Sequence, residues 1–242
     1  MRIRMSLEQK NFAGFLDTVI SKYHFDQQDR DEIARVYEQM QLCMAPYAIY
    51  KINQRVTGIN DIDNGQTALV AMTLGAGVDR LLERYEKTGK LQQAYMLECI
   101  SNELLLKMYT EFNSSYSRFH RRFIVKYHFI GNDIKLEKIP NLLEDLYGRK
   151  ESQDKIVEDD SIFSNDCGVL TPSKSVIFYA LLSDNPATVC EGICMGCGNV
   201  DCENRMREQI ANTGKRNKKD DIKKVAPTAA TYNYGYQRIF GS

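Results

Sequence analysis

Apolar residues near the start of the chain recur at helical spacing. Two stretches show the pattern, at positions 12–23 and 33–40, and in each the apolar positions return every three or four residues. This periodicity predicts a pair of helices whose apolar faces pack into a core. A capping box made by Ser6 and Gln9 is expected to begin the first helix, and Pro46 is expected to end the second.

A continuous apolar run at 68–74 leads into the glycine turn Gly75-Ala76-Gly77 and then into a helical stripe that begins at Val78. The order predicts a buried strand, a tight turn and a helix. Dinucleotide-binding units share this order, but their fingerprint needs a third glycine where Arg80 stands, and no Walker lysine is present. We therefore expect the turn to position the helix rather than to bind a nucleotide.

The rest of the pattern completes an α+β fold. A long helix is predicted after Gly89, with Leu97, Ile100, Leu104 and Met108 on one face. A strand is predicted from Arg122 to Ile130, a short helix from Ile139 to Tyr147, a charged loop at 150–166, and a second apolar strand from Val176 to Leu182. The expected architecture is an antiparallel or mixed sheet flanked by helices, with an N-terminal helical pair, a C-terminal cysteine loop and a mobile tail.

Four segments are expected along the chain. They are an N-terminal helical segment at 1–45, an α+β domain at 46–185, a cysteine loop at 186–210 and a tail at 211–242. The tail mixes lysines with acidic residues and then tyrosines, a composition typical of a mobile or extended arm.

Charge and hydropathy narrow the choice of partners. The 32 Lys and Arg residues balance the 32 Asp and Glu residues, so no overall positive field favours nucleic acid. Residues Met1 to Gln9 do not resemble a signal peptide, and no run approaches the roughly 20 apolar residues of a membrane span. We therefore expect a cytoplasmic protein with neither nucleic acid nor membrane as partner.

Hydrolytic chemistry has little support in the sequence. The three histidines, His24, His120 and His128, are widely separated, and none lies beside an obvious nucleophile. Glu98 and Glu103 lie five apart on the predicted long helix, a spacing that does not make them neighbours on one face. A paired-carboxylate acid and base is therefore not expected there.

Four of the seven cysteines lie in one short, glycine-containing stretch: Cys190, Cys194, Cys197 and Cys202. Thiols this close can converge on one metal centre, and a reducing cytosol disfavours disulfides as the explanation. Zinc sites usually pair two C-x-x-C knuckles, but only one is present here, so the spacing favours a four-iron iron–sulfur cluster over zinc. The first three cysteines also match the spacing of radical S-adenosylmethionine enzymes, yet no barrel can follow them. Buried, unligated cysteines are the alternative.

Three stretches in order resemble a known family. Residues 68–80 read ALVAMTLGAGVDR and are followed by Met96-Leu97-Glu98-Cys99. Residues 170–176 read LTPSKSV, and the cysteine loop is the third stretch. Together they resemble the reactivation domain of cobalamin-dependent methionine synthase, and especially its free-standing relatives that end in a cysteine cluster. The resemblance spans roughly residues 40–205.

The resemblance implies a curved α+β domain that binds S-adenosylmethionine and caps a corrinoid while its cobalt is reductively methylated. The adenosyl ligand would be held by an Arg-x-x-x-Gly-Tyr motif, whose counterpart here keeps Arg122 and Tyr127 but has Lys126 in place of the glycine. The implied partners are a corrinoid protein or cobalamin-dependent methyltransferase and an electron donor.

Three functions follow from this reasoning. The first is an accessory protein that docks on the corrinoid partner and supports reductive reactivation of its cobalt. The second is a non-catalytic partner-binding module stiffened by a zinc loop. The third is the adenosylmethionine-binding activation subunit of a split methionine synthase.

Overall fold

A computed structural model describes residues 1–53, 66–131, 134–148, 161–165 and 167–194. Within them the strands form a five-stranded antiparallel sheet, in the order β1-β2-β3-β7-β4, and a small two-stranded sheet, β5-β6. The strand bounds are β1 Arg2–Arg4, β2 Tyr47–Asn53, β3 Gln66–Thr73, β4 Phe123–Phe129, β5 Phe163–Ser164, β6 Leu170–Thr171 and β7 Ser175–Ser183. The α+β prediction is confirmed.

Five α-helices accompany these strands in the described residues. Their bounds are α1 Phe12–Lys22, α2 Arg30–Cys43, α3 Ala76–Lys87, α4 Leu91–His120 and α5 Ile139–Tyr147. Short 3-10 turns precede α2 and α5, at Gln27–Asp29 and Leu136–Lys138. The helices predicted from the apolar spacing are all present.

The sheet is buried on both faces. Tyr50, Val70 and Phe178, aligned across β2, β3 and β7, belong to a large core that also contains the apolar stripes of α1 to α4. Residues of opposite parity, such as Leu69 and Tyr179, pack with α5 in a second core. Burial on both faces explains the continuous apolar sequence of β3, because neither set of its side chains meets water.

The N-terminal helices share the large core with the sheet. Val19 of α1 and Ile33 of α2 are buried in the same cluster as Ala68 of β3. Helix α1 begins after Asn11, whose side-chain oxygen accepts a 3.0 Å hydrogen bond from the amide of Gly14. The predicted capping box at Ser6 and Gln9 is therefore wrong, because Asn11 supplies the cap closer to the apolar stripe.

The glycine turn after β3 sets the position of α3. Gly75 has φ of +91°, which glycine adopts without steric cost, and it precedes the first residue of the helix. A β-carbon on Gly77 would lie 1.9 Å from the carbonyl oxygen of Cys43. The end of α2 and the start of α3 thus approach to a distance that only glycine permits, which agrees with the expected structural role of the turn.

A β-bulge interrupts β4. Ile124 pairs with Leu182, whereas Lys126 pairs with the preceding residue of β7, Leu181, so Val125 is an extra residue. Ile124 and Tyr127 are three residues apart, so on a regular strand their side chains would face opposite sides of the sheet. The bulge turns both into the large core, and Val125 lies outside the regular pairing with β7.

Candidate functional site

The cysteine loop begins against β4, the last strand in the sheet order. The amide of Glu191 donates a 2.7 Å hydrogen bond to the carbonyl oxygen of Val125, the bulged residue. Beside it, Cys190 and Ile193 are partly buried against the large core. The chain that leaves β7 is thus attached to β4 at the point where the bulge interrupts regular pairing.

Two of the four predicted metal ligands can be placed. Cys190 and Cys194 are both partly buried cysteines. Cys197 and Cys202 lie outside the described residues, as does the predicted tail at 211–242. Within the part of the chain that the structure describes, no three Cys, His, Asp or Glu side chains form a metal-binding group.

The donor chemistry at the start of the loop suits a thiophilic metal. Partly buried cysteine sulfurs are the ligands that zinc and iron–sulfur clusters use. Cys190 and Cys194 are separated by three residues that include Gly192, which has φ of +80°. This left-handed residue turns the backbone between the two thiols.

Tyr127, predicted from the resemblance as an adenosyl-binding residue, lies inside the protein. Its side chain is 2% exposed and its ring packs edge-on to Phe178 and Tyr109, at centroid distances of 5.4 Å in both cases. Burial raises the pKa of the Tyr127 hydroxyl far above its ordinary value, and Cys190 raises it further. Tyr127 is therefore part of the large core, against which Cys190 also packs.

Arg122, the other predicted adenosyl-binding residue, lies immediately before β4. Its Nε is 2.8 Å from Oδ1 of Asp184, which follows β7. The Arg122 side chain is 29% exposed, so part of the guanidinium remains accessible. Arg122 and Tyr127 thus belong to one strand region, but one side chain is near the surface and the other is in the core.

The first two stretches of the family resemblance meet at the start of α3. The carboxylate of Asp79 accepts hydrogen bonds from the amide and hydroxyl of Ser173, at 2.8 and 2.6 Å. Thr73 Oγ1 accepts hydrogen bonds from the Ser175 hydroxyl at 2.8 Å and the Gly75 amide at 3.0 Å. The sequence motifs around 68–80 and 170–176 are therefore parts of one polar junction between β3, β7 and α3.

The fourth element of this junction is α4. Lys174 Nζ lies 2.5 Å from Glu98 Oε2 and 3.1 Å from Asn102 Oδ1, and both charged side chains are largely buried. Glu103 instead accepts hydrogen bonds from Lys22 and Tyr23. The two glutamates therefore have different cationic partners and form no acid and base pair, in agreement with their spacing.

Sequence reasoning did not anticipate an aromatic cluster around β2. The Tyr50 hydroxyl lies 2.6 Å from His120 Nε2 and 2.9 Å from the sulfur of Met1. The ring of Tyr116 lies 4.6 Å from that of His120, and the buried Tyr116 hydroxyl has no hydrogen-bond partner among the residues that the structure describes. Burial raises the pKa of Tyr116 to about 12. Tyr116 and His120 lie one turn apart on α4, but Met1 and Tyr50 are distant from them in sequence, and no spacing signal connects the two parts of the cluster.

The surface grooves lie elsewhere. Two open grooves lie along residues 6–11. Tyr37 and Gln41 also line the first groove, and Phe15 and Lys107 also line the second. Neither is lined by a predicted site residue.

Among the described residues, no helix has the length and apolar content needed to cross a membrane.

Comparison with known proteins gives structural similarity only. No protein-family model matches the chain, and no curated protein matches it. Among solved structures, the chain is similar to the crystal structure of the MetH reactivation domain bound to AdoHcy, with 9% sequence identity and a TM-score of 0.45. The alignment covers 79% of this chain and 80% of that chain.

Proposed function

We propose that this protein is a metal-containing accessory protein that docks on a corrinoid protein or cobalamin-dependent methyltransferase and supports reductive reactivation of its cobalt. The observation that carries the proposal is the attachment of the cysteine loop to β4 through Glu191 and Val125. This hydrogen bond brings the start of the cysteine loop to the strand region that holds Arg122 and Tyr127, the two residues that the sequence resemblance associates with adenosyl binding.

The proposed metal site comprises Cys190, Cys194, Cys197 and Cys202. The first two supply partly buried thiols at the edge of the sheet. Partial burial suits electron exchange with a partner, because the group is protected from solvent yet remains near the surface. An iron–sulfur cluster would supply an electron at a potential as low as about −700 mV, and Co(II) needs one electron to become Co(I).

The test uses the Co(II) form of a cobalamin-dependent methionine synthase as the partner. The chain is prepared without oxygen, reduced with limiting dithionite and mixed with the partner, and the loss of the Co(II) electron paramagnetic resonance signal is followed. We expect the parent to accelerate this loss and Cys194→Ser to abolish the acceleration. Cys167→Ser is the matched control, since Cys167 is an exposed thiol in the turn between β5 and β6. No acceleration by the parent would contradict the proposal.

A structural zinc loop is the alternative within the same site. It would leave a non-catalytic partner-binding module in which the metal only stiffens the loop. The two possibilities differ in colour, because an iron–sulfur protein is brown and bleaches with dithionite, whereas a zinc protein is colourless. A colourless chain that contains one zinc ion would replace the redox proposal with the structural one.

Adenosylmethionine binding is a second candidate function, favoured by the partly accessible guanidinium of Arg122. A guanidinium can pair with the ligand carboxylate in two parallel hydrogen bonds. Calorimetry with S-adenosylmethionine on the parent and on Arg122→Ala tests it. Binding heat that disappears in the variant supports an activation subunit of a split methionine synthase, and no heat from the parent eliminates it.

A further inference from the structure

The hydroxyl of Tyr50 is buried but has a base within hydrogen-bonding distance. Tyr50 is 1% exposed, and its hydroxyl oxygen lies 2.6 Å from Nε2 of His120 and 2.9 Å from the sulfur of Met1. One phenolic hydrogen cannot serve both acceptors, and the thioether is the weaker and the more distant of the two. When the His120 ring is neutral, the Tyr50 hydroxyl therefore donates to Nε2, and the proton of the ring is on Nδ1.

His120 connects this buried hydroxyl to solvent. It is the last residue of α4 and is only partly buried, so a proton that it accepts can pass on to water. Its ring lies edge-on to that of Tyr50, at a centroid distance of 5.5 Å. Tyr50 thus differs from an ordinary buried phenol, because its proton has a route out of the core.

This arrangement suits the one-electron oxidation of Tyr50. If the phenol lost an electron and kept its proton, it would become an unpaired cation inside the core, which is very unfavourable. Transfer of the proton to His120 instead leaves a neutral tyrosyl radical and moves the positive charge to a ring near the surface. The imidazole therefore removes the main obstacle to oxidation of a buried tyrosine.

We propose that Tyr50 is a redox-active tyrosine, which gives one electron to a small oxidising radical while its phenolic proton moves to Nε2 of His120. With the nitrogen dioxide radical as oxidant, the O–H bond of Tyr50 breaks, an N–H bond forms on His120, and the electron reduces the oxidant to nitrite. The products are a neutral tyrosyl radical, an imidazolium and a nitrite ion. This activity intercepts oxidising radicals and is independent of the proposed function.

Tyr116 provides an internal comparison. It is 0% exposed, and its ring lies 5.4 Å from that of Tyr50 and 4.6 Å from that of His120. Its hydroxyl, however, has no hydrogen-bond partner within the described part of the chain. The two phenols share their aromatic surroundings and their burial, yet only Tyr50 has a base at its oxygen. Oxidation that depends on the base should therefore occur at Tyr50 and not at Tyr116.

The experiment generates the oxidant with light. The full chain is mixed with tris(bipyridyl)ruthenium(II) and persulfate, a flash produces the ruthenium(III) oxidant, and tyrosyl radicals are followed by absorbance and electron paramagnetic resonance. Radicals on exposed tyrosines react with one another quickly, so a slowly decaying signal reports a buried tyrosine. We expect this slow signal in the parent, its loss in Tyr50→Phe and its retention in Tyr116→Phe.

Substitution of His120 separates proton acceptance from packing. His120→Ala should form the slowly decaying radical about 100-fold more slowly than the parent, because it lacks the positioned base. Added imidazole should restore the rate in this variant. His120→Gln, which keeps a polar side chain but has no base, should show the same loss. Circular dichroism checks that all the variants are folded.

The outcomes are distinct. A parent without a slowly decaying radical overturns the inference, and so does a slow signal that persists in Tyr50→Phe or is lost equally in Tyr116→Phe. Unchanged rates in His120→Ala and His120→Gln overturn the transfer of the proton to His120. The measurement needs neither a metal nor the corrinoid partner, so its result is separate from the test of the proposed function.

Discussion

Asp79 and Ser173 lie 94 residues apart in the sequence, yet two hydrogen bonds join the carboxylate of one to the amide and hydroxyl of the other. Asp79 is in the first turn of α3, where negative charge also interacts favourably with the helix dipole. This contact connects the strand that follows the cis peptide bond Thr171-Pro172 to the helix after the glycine turn.

Replacement of Asp79 by alanine should lower the free energy of unfolding by about 1–2 kcal/mol, because it removes two hydrogen bonds and a helix-terminal charge. Chemical denaturation of Asp79→Ala and Ser173→Ala, alone and combined, measures the effect. Glu83→Ala on the same helix is the control, since its ion pair with Lys87 is exposed to solvent. Strictly additive losses from the two single variants would show that Asp79 and Ser173 do not interact.

The close approach of α2 and α3 predicts that Gly77→Ala is strongly destabilising. The added methyl group would meet the backbone carbonyl of Cys43, so one helix has to shift, at a cost of roughly 3 kcal/mol. Gly89→Ala serves as control: its φ of +72° causes strain of about 1 kcal/mol, but its β-carbon would meet no atom within 4 Å. Thermal denaturation that ranked Gly89→Ala as the more damaging change would contradict this packing.

The largely buried ion pair between α4 and the start of β7 should contribute measurably to stability. Lys174→Met leaves the Glu98 carboxylate without its cation in a site where the two side chains are 12% and 27% exposed. We expect a loss of about 2 kcal/mol, which Glu98→Gln in the same chain partly restores by removing the unpaired charge. A double-mutant cycle from urea denaturation checks this, and a coupling energy near zero would show that the contact is not energetically significant.

We expect the free energy of unfolding to depend on pH above neutrality because of Cys99. Burial raises the pKa of the Cys99 thiol from 9.0 to about 11. Above pH 9 the unfolded chain releases this proton while the folded chain retains it, so folding becomes less favourable as pH rises, until the folded thiol also ionises near pH 11. The stabilising effect of the raised pKa is thus complete below pH 9.

The loss in this window approaches about 1.4 kcal/mol per pH unit for one proton. Urea denaturation of the parent and of Cys99→Ala between pH 8 and about 11 isolates the contribution of the thiol, because the buried tyrosines are common to both chains. The free energies of unfolding should converge as pH rises. Parallel curves would show that Cys99 has the same pKa in both states.

The sequence predicts the elements with strong periodicity well. The stripes of α1, α2 and α4 and the apolar runs of β3 and β7 are determined by local pattern, and the structure confirms them. Strand β2 is not predicted, because its apolar run is only four residues long, from Tyr47 to Tyr50, and ends at the exposed Lys51. The bulge at Val125 and the hydrogen bond from Glu191 to it depend on residues more than 50 positions away, which no local pattern reveals.

The central claim is that the cysteine loop holds a metal centre, and quantification of iron, zinc and acid-labile sulfide in the full chain, purified without oxygen, tests it most directly. The account predicts iron and sulfide in equal amounts, about four of each per chain, lost in Cys194→Ser and retained in Cys167→Ser. A parent chain without iron, zinc or sulfide, and unchanged by substitution of Cys194, would contradict the account.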